Sequence, residues 1–315
     1  MNRPLTISVV APVYGVEKYI GKFAVSLLSQ SYPHVQYVFV NDGTKDASIS
    51  ILNSVIDSDF PHLRDKVLIV DKENGGLPAA RRTGMEHVTG DYVWHVDPDD
   101  WIEEGALCRI ADCIRENDFP DFVYFDFFKE YPGKVRHKTE RQYSAAGKET
   151  YIRAMYNHRS FGCVWNKCVK RSVYEDNQVY FPLFSYAEDT YLTTQLAGYS
   201  ASFCHLDAPL YHYRKGNPDA ITRQNRKKRR REYALNFLDL YQKYRDVPSD
   251  INPVSVIFDD ILVQAGWYSI IYGLDLFRIF PWLSDAVSKA RIKGGSDVCL
   301  LAQLIAKVTA FLKTK

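Results

Sequence analysis

Asp97-Pro98-Asp99 sets two carboxylates two residues apart, directly after the apolar run 92–96. At a strand end such a pair can hold a divalent cation between the protein and a diphosphate, since a hard cation takes oxygen ligands and neutralises the charge of a leaving diphosphate. Acidic pairs are also common in turns, so the triplet alone is a weak signal and reads first as a structural or solvated turn. Other polar groups with chemical potential stand at Asn41-Asp42-Gly43, Asn74-Gly75-Gly76, Arg81-Arg82, Glu188-Asp189 and Tyr211-His212-Tyr213-Arg214. Each has a structural reading beside the chemical one. Asp42 before Gly43-Thr44 suits a turn or helix start, Glu188-Asp189 suits an electrostatic helix cap, and 211–214 suits a buried strand with alternating aromatics.

The elements that would position these groups follow from periodicity. Residues 7–12 (ISVVAP) and 37–41 (YVFVN) are short β-branched runs that read as buried parallel strands, and 16–30 and 47–56 carry apolar residues at helical spacing. A third strand at 67–70, a helix at 78–87 that opens on proline, and a fourth strand at 92–96 continue the alternation. Such an order implies an α/β sheet with crossover helices on both faces, in which ligands bind at the carboxyl ends of strands. Pro12-Val13-Tyr14, Asn41-Asp42-Gly43 and 97–100 are three such ends, expected to share one crevice. Beyond Trp101 come a helix at 107–116, an aromatic strand at 122–128 and a mixed stretch to about 214. From about 220 the pattern is helical, interrupted near Pro253, Pro281 and Gly294-Gly295. The polar stretch 215–220, followed by the basic run 226–231, is the nearest thing to a boundary.

Forty lysines and arginines against 38 aspartates and glutamates leave a formal charge of +2, which argues against a nucleic-acid binder. The six cysteines form no CxxC pair and lack nearby histidines, so they are expected to be reduced, packed thiols. The opening MNRPLTISVVAPVYG has too short an apolar run for a signal peptide, and no apolar run reaches the roughly 18 residues of a membrane span. A cytoplasmic protein is expected.

Four ordered stretches, VVAPVYGVEKYI, VFVNDGTKDAS, ENGGLPAARRTGME and GDYVWHVDPDDWI, resemble glycosyltransferase family 2 with its GT-A type fold. CVWNKCVKR, YAEDTYL and PLYHYRKGNPDAITR extend the resemblance to about residue 223. It implies an α/β catalytic domain over 1–220, divided into a nucleotide-sugar half (1–100) and an acceptor half (101–220), with a helical extension over 221–315. The implied reaction is inverting transfer of a sugar from a nucleotide diphosphate donor, UDP-sugar by preference, to a hydroxyl of a saccharide or polyprenyl-linked glycan, assisted by Mn2+ or Mg2+. Carried over residue by residue, Pro12, Tyr14 and Glu17 line the nucleoside pocket and Asp42 faces the base, where an ionised carboxylate would accept a uracil imide N–H. Asn74 and Gly76 let backbone approach the donor, Arg81 or Arg82 faces a phosphate, and Arg214 binds diphosphate. Asp97 lies near ribose and metal, Asp99 is the main metal ligand, and His212 completes the metal shell. Inversion needs a base on the acceptor side, a part the resemblance gives to Asp189. Glu188 becomes its orienting or acceptor-binding neighbour, and Trp165 stacks on acceptor or packs in the core. Pro98 departs from the small residue usual between the two aspartates.

Two features fall outside the resemblance. The basic run 226–231 is open to reading as a solvated helix face, as a contact for anionic lipid headgroups at the inner membrane face, or as a contact for an acceptor diphosphate. Trp267, Tyr268, Ile271, Phe277, Phe280, Trp282 and the stretch 298–312 would pack on the catalytic domain, pair two copies, or rest on a membrane. Among rival activities, a dehydrogenase and a P-loop enzyme lack their glycine motifs here. A sugar-phosphate nucleotidyltransferase would carry a glycine-rich basic loop after its first strand. A catalytically inactive glycan-binding protein of the same fold is the nonenzymatic alternative.

Overall fold

The computed structural model describes residues 4–143, 147–156, 159–217, 223, 225–283 and 286. The Gly294-Gly295 interruption, the apolar stretch 298–312 and residues 218–220 of the boundary stretch lie outside them. The first half follows the expected alternation: β1 (Ile7–Val13), α1 (Ile20–Leu28), β2 (Val35–Asn41), α2 (Ser48–Asp59), β3 (Val67–Asp71), α3 (Leu77–Met85) and β4 (Tyr92–His95). β1 is buried at all seven positions, as a strand covered on both faces must be. β1 pairs in parallel with β2 on one side and β4 on the other, and β2 pairs in parallel with β3. The carboxyl ends of β1, β2 and β4 therefore lie side by side.

β5 (Trp101–Ile102), α4 (Ala106–Glu116), β6 (Phe122–Tyr131), β7 (Lys134–Lys138), α5 (Gly147–Tyr156), β8 (Lys167–Lys170), α6 (Arg171–Glu175), α7 (Glu188–Tyr199) and β9 (Phe203–Arg214) follow. Among the described residues the strands form one nine-stranded sheet in the order β3-β2-β1-β4-β8-β6-β9-β5, with β7 beside β6. β8 joins β4 and β6 antiparallel, so a parallel half and a mixed half meet at β4. α8 (Arg226–Tyr244), α9 (Phe258–Tyr272) and α10 (Leu276–Ile279) complete the described elements.

The period of two along β1 divides the core. Val10 points to one face, packed with Ala80 of α3 and with apolar residues of α5, α7, α8 and α9. Ile7, Val9, Ala11 and Val13 point to the other, packed with α1, α2 and α4. α1 is shorter than the expected 16–30 because side chains from 44–48 capture the amides before it. Thr44 Oγ1, Ser48 Oγ and Asp46 Oδ2 accept from the N–H groups of Gly15, Val16 and Glu17. No helix among the described residues is long and apolar enough to cross a membrane. Half of the basic run on α8 is turned into the protein: Arg229 lies over the Tyr186 ring, Arg230 bonds Tyr268 Oη at 2.8 Å and Arg231 reaches toward Asp275, while Arg226 and Lys227 are exposed.

Candidate active site

α3 carries Arg81 under the strand ends because the helix lies close on β1; a Cβ on Gly84 would stand 2.4 Å from Val10 Cγ1. Arg81 is 1% exposed, and its guanidinium meets three carboxylates from two distant segments: Asp97 Oδ1 at 2.7 Å, Glu188 Oε1 at 2.8 Å and Asp189 Oδ1 at 2.5 Å. One positive charge does not neutralise three negative ones in so little water. Burial opposes the charge on Arg81, but Asp189, Asp97 and Glu188 outweigh it and raise its pKa. Burial pushes Asp97 up to about 7 against the pull of Arg81, with Asp189 and Asp99 adding to the rise. Burial, and then Asp189, pushes Glu188 well above the usual carboxyl range. Beneath them burial and Arg81 hold the His95 ring well below its usual range, so it is neutral at neutral pH.

The segment from Asp97 to Asp100 is fixed from β9. Tyr211 accepts from the Asp97 N–H at 3.0 Å and donates to Asp100 Oδ2 at 2.9 Å, and Asp100 Oδ1 accepts from the Arg214 N–H at 2.6 Å. Asp99 Oδ2 accepts from Asn217 Nδ2 at 2.8 Å. The Arg214 guanidinium is flanked by the rings of Tyr19 and Trp101, each 4.9 Å away, and only its Nε is engaged among the described residues, donating to the Asp99 carbonyl at 2.8 Å. Lys22 Nζ lies 3.1 Å from the centre of the Trp101 ring. Arg214 thus stands beside the aspartates and shares the Trp101 ring with Lys22.

Glu188 and Asp189 occupy the first turn of α7, directly after Ala187, whose φ of +63° is left-handed. A side chain there costs about 1–3 kcal/mol and persists only where neighbours enforce it. Of the pair, Glu188 has the more buried side chain, 10% exposed against 22% for Asp189.

Several of the expected residues have partners within the protein. Asp42 is 2% exposed, and its two oxygens accept from the N–H groups of Gly75 (2.9 Å) and Gly76 (2.8 Å) and from Lys72 Nζ. It clamps the 72–76 loop. Gly43 makes the clamp fit, since a Cβ there would stand 2.9 Å from the Asn74 nitrogen. Glu17 spends Oε2 on the Ala47 N–H at 3.0 Å, so it ties two loops together. Arg81 gives Nη1 to Glu188 and Asp189 and Nη2 to Asp97, while its Nε is buried without a hydrogen-bond partner among the described residues; Arg82 is exposed. His212 has Nε2 2.6 Å from Glu103 Oε1 and Nδ1 2.7 Å from Glu130 Oε1, so both ring nitrogens are engaged within the protein. Its ring stacks on Trp101 at 4.9 Å, as part of the aromatic support. Trp165 is 4% exposed and stacks on Tyr211 at 4.6 Å, which makes it core, not an acceptor platform. Pro12 is buried, whereas Tyr14 (55% exposed) and Asn74 stand open at the cleft rim. Gly76 faces Ser185, whose Oγ would lie 3.3 Å from a Cβ on that glycine, so the 72–76 loop meets the segment before α7. Asn217 and Lys22 join the site without having been expected there, and Asp100 and Tyr211, inside the expected groups 97–100 and 211–214, join it without a role having been assigned to them. Asp100 and Tyr211 stand next to expected residues in the sequence, but only the pairing of β5 with β9 reveals their contact.

Together, an open α/β sheet with acidic and basic groups gathered at the ends of β1, β2 and β4 defines a protein of the GT-A type. A match to the model of glycosyl transferase family 2 spans residues 8–177, and the chain belongs to that family; it is a glycosyltransferase. EpsH of Bacillus subtilis (strain 168) is 28% identical over 281 residues, 85% of this chain and 78% of EpsH. The glycosyltransferase GlyA of Streptococcus pneumoniae serotype 4 is 31% identical over 217 residues, 66% of this chain but 30% of GlyA. Among solved structures, S. aureus TarS 1-349 in complex with UDP-GlcNAc superposes with a TM-score of 0.69 at 19% identity, covering 97% of this chain and 88% of that one. The mannosyltransferase PcManGT from Pyrobaculum calidifontis, in complex with GDP-Man and Mn2+, gives 0.55 at 17% identity, covering 96% and 80%.

Proposed function

We propose that this chain is an inverting glycosyltransferase that moves a sugar from a nucleotide diphosphate donor, UDP-sugar by preference, to a hydroxyl of a saccharide or lipid-linked glycan, with Asp189 as general base and Mn2+ or Mg2+ assisting. The observation that carries it is the meeting of Asp97 and Asp189 on one buried guanidinium. That contact brings the donor-side carboxylate and the acceptor-side carboxylate within one residue of each other, as a single displacement requires. Asp189 suits the base better than Glu188, since its side chain is the less buried, 22% exposed against 10%; Arg81 occupies one oxygen of each. Oδ2 would take the acceptor proton while the hydroxyl oxygen attacks the anomeric carbon and the nucleoside diphosphate departs from the opposite face. The UDP preference draws on the likeness to TarS, and the PcManGT likeness keeps guanosine donors in the test.

The residues present fit a hard cation. Asp97 Oδ2 and Asp99 Oδ1 take no hydrogen bond among the described residues, and no group of three His, Cys, Asp or Glu there could hold a metal ion alone. Two carboxylates with the remaining positions left to diphosphate and water is how Mg2+ is usually held. When bound, the cation would supply charge neutralisation at the departing diphosphate. Arg214 would add to that neutralisation from the protein side.

The test is release of nucleoside diphosphate from a panel of UDP- and GDP-sugars with Mn2+, with Mg2+ and with EDTA, for the wild type, Asp99→Asn and Asp189→Asn. The expected result is metal-dependent turnover of one donor, lost in Asp99→Asn. Asp189→Asn should keep donor affinity and lose roughly a hundredfold or more in transfer rate. Full transfer by Asp189→Asn, or turnover indifferent to EDTA, would sink the assignment concerned.

A further inference from the structure

α8 lies beyond the span of the family match, yet one side of it holds the segment that delivers Glu188 and Asp189. Asn236 is 1% exposed; its Oδ1 accepts from the Phe184 N–H at 3.2 Å, and its Nδ2 donates to the carbonyls of Phe184 at 2.8 Å and Tyr186 at 3.1 Å. One turn earlier, Glu232 Oε2 accepts from the Tyr186 N–H at 3.2 Å, and the Arg229 guanidinium lies 5.5 Å from the Tyr186 ring centre. One turn later, Asp239 Oδ2 accepts from the Tyr191 hydroxyl at 2.9 Å. Positions 229, 232, 236 and 239 share one side of a helix. Both backbone groups of Phe184 and both of Tyr186 are therefore bonded by side chains of α8.

Ala187 follows at once with its left-handed backbone, and Glu188 and Asp189 come next. A non-glycine residue holds that conformation only where its surroundings enforce it. Leu183, on the other flank, is 76% exposed, and the hydrogen bonds to the backbone of Phe184 and Tyr186 come from α8.

We infer that Asn236, aided by Glu232, is a positioning residue for Asp189: it fixes 184–186 so that the turn at Ala187 sets the carboxylate against Arg81 and toward the acceptor. The inference rests on the reading of Asp189 as the base. The full chain carrying Asn236→Asp keeps the acceptor for the Phe184 N–H but loses both donations; Asn236→Ala loses all three bonds. In both, transfer kcat should fall on the order of tenfold to a hundredfold. The donor dissociation constant should stay within about twofold, and amide exchange at Phe184 and Tyr186 should quicken while β1 and β4 remain protected. Glu232→Gln weakens one acceptor without changing shape and should give a smaller loss in the same direction, a measurement that holds even if the Asn236 variants unfold. Unchanged kcat in all three variants, or a loss of kcat matched by equal weakening of donor binding, overturns the inference. Full transfer by Asp189→Asn would instead overturn the base assignment, and the hold of α8 on 184–186 then stands or falls on the exchange result alone.

Discussion

Arg81 decides most at the scale of single residues. It is buried, and it is the shared partner of Asp97, Glu188 and Asp189. Removing one member of a buried charge cluster leaves the others uncompensated, which typically costs about 3–5 kcal/mol. Arg81→Met should therefore lower stability by that order in chemical denaturation and abolish transfer. Arg81→Lys, which keeps the charge but loses the planar fork, should fall between. Little change in the midpoint of Arg81→Met would mean the carboxylates find other partners. Glu188 adds a pH signature. Its folded pKa stands above its unfolded value because of burial and the neighbouring Asp189, so its contribution to stability is full below about 4.5 and is lost as pH rises toward the folded value. Gln cannot ionise, so the melting temperature of Glu188→Gln minus that of the wild type should grow more positive between pH 5 and pH 8. A flat difference over that range would show that Glu188 titrates normally.

At the scale of elements, placement depends on close approaches that only small residues permit. A Cβ on Gly198 in α7 would stand 2.0 Å from the Pro253 carbonyl oxygen and 2.5 Å from Pro253 Cβ, so this helix touches the turn between α8 and α9 through a glycine. Gly198→Ala should force the two apart and cost about 1–3 kcal/mol or more, read as a lower melting temperature. Donor affinity should change little, because β1, β2 and β4 lie elsewhere. The period-two and helical patterns made the alternation of β1 through β4, the position of α4 and the convergence of three strand ends legible in the sequence, since each is written in local spacing. Partner choice was not legible. Asp42, Glu17 and His212 each present a polar atom that suits a ligand. Which backbone amide or carboxylate reaches it first depends on how distant segments meet, from the 30 residues between Glu17 and Ala47 to the 109 between Glu103 and His212. Trp165 illustrates the same point for packing, because β9 covers it only after the chain returns to the sheet.

At the scale of the whole molecule, the sheet has two cores, and the C-terminal helices belong to one of them. Phe237, Leu238, Leu240, Ile257, Ile261 and Leu276 pack in the same cluster as Tyr151, Tyr191 and Leu196 and as Val10 of β1. Phe237 meets Tyr156 and Tyr191 with ring centres 5.6 Å and 6.3 Å apart, and Tyr244 donates to Gln195 Oε1 at 2.9 Å. A chain cut at residue 220 would put Tyr191, Leu196 and the exit of α7 into water. Each large apolar side chain so exposed forfeits about 1.5–3 kcal/mol, and a few of them match the roughly 5–15 kcal/mol of net stability of a domain. The expected outcome is one cooperative unfolding transition for the full chain, the same by circular dichroism and tryptophan fluorescence, and no cooperative transition for residues 1–220. Donor binding should be lost with the fold in the shortened chain, because Arg81 draws two of its three carboxylates from α7. A shortened chain that melts cooperatively and still binds donor would show that 221–315 is an appendage, and that the side of α8 facing 184–186 is dispensable for building residues 101–220.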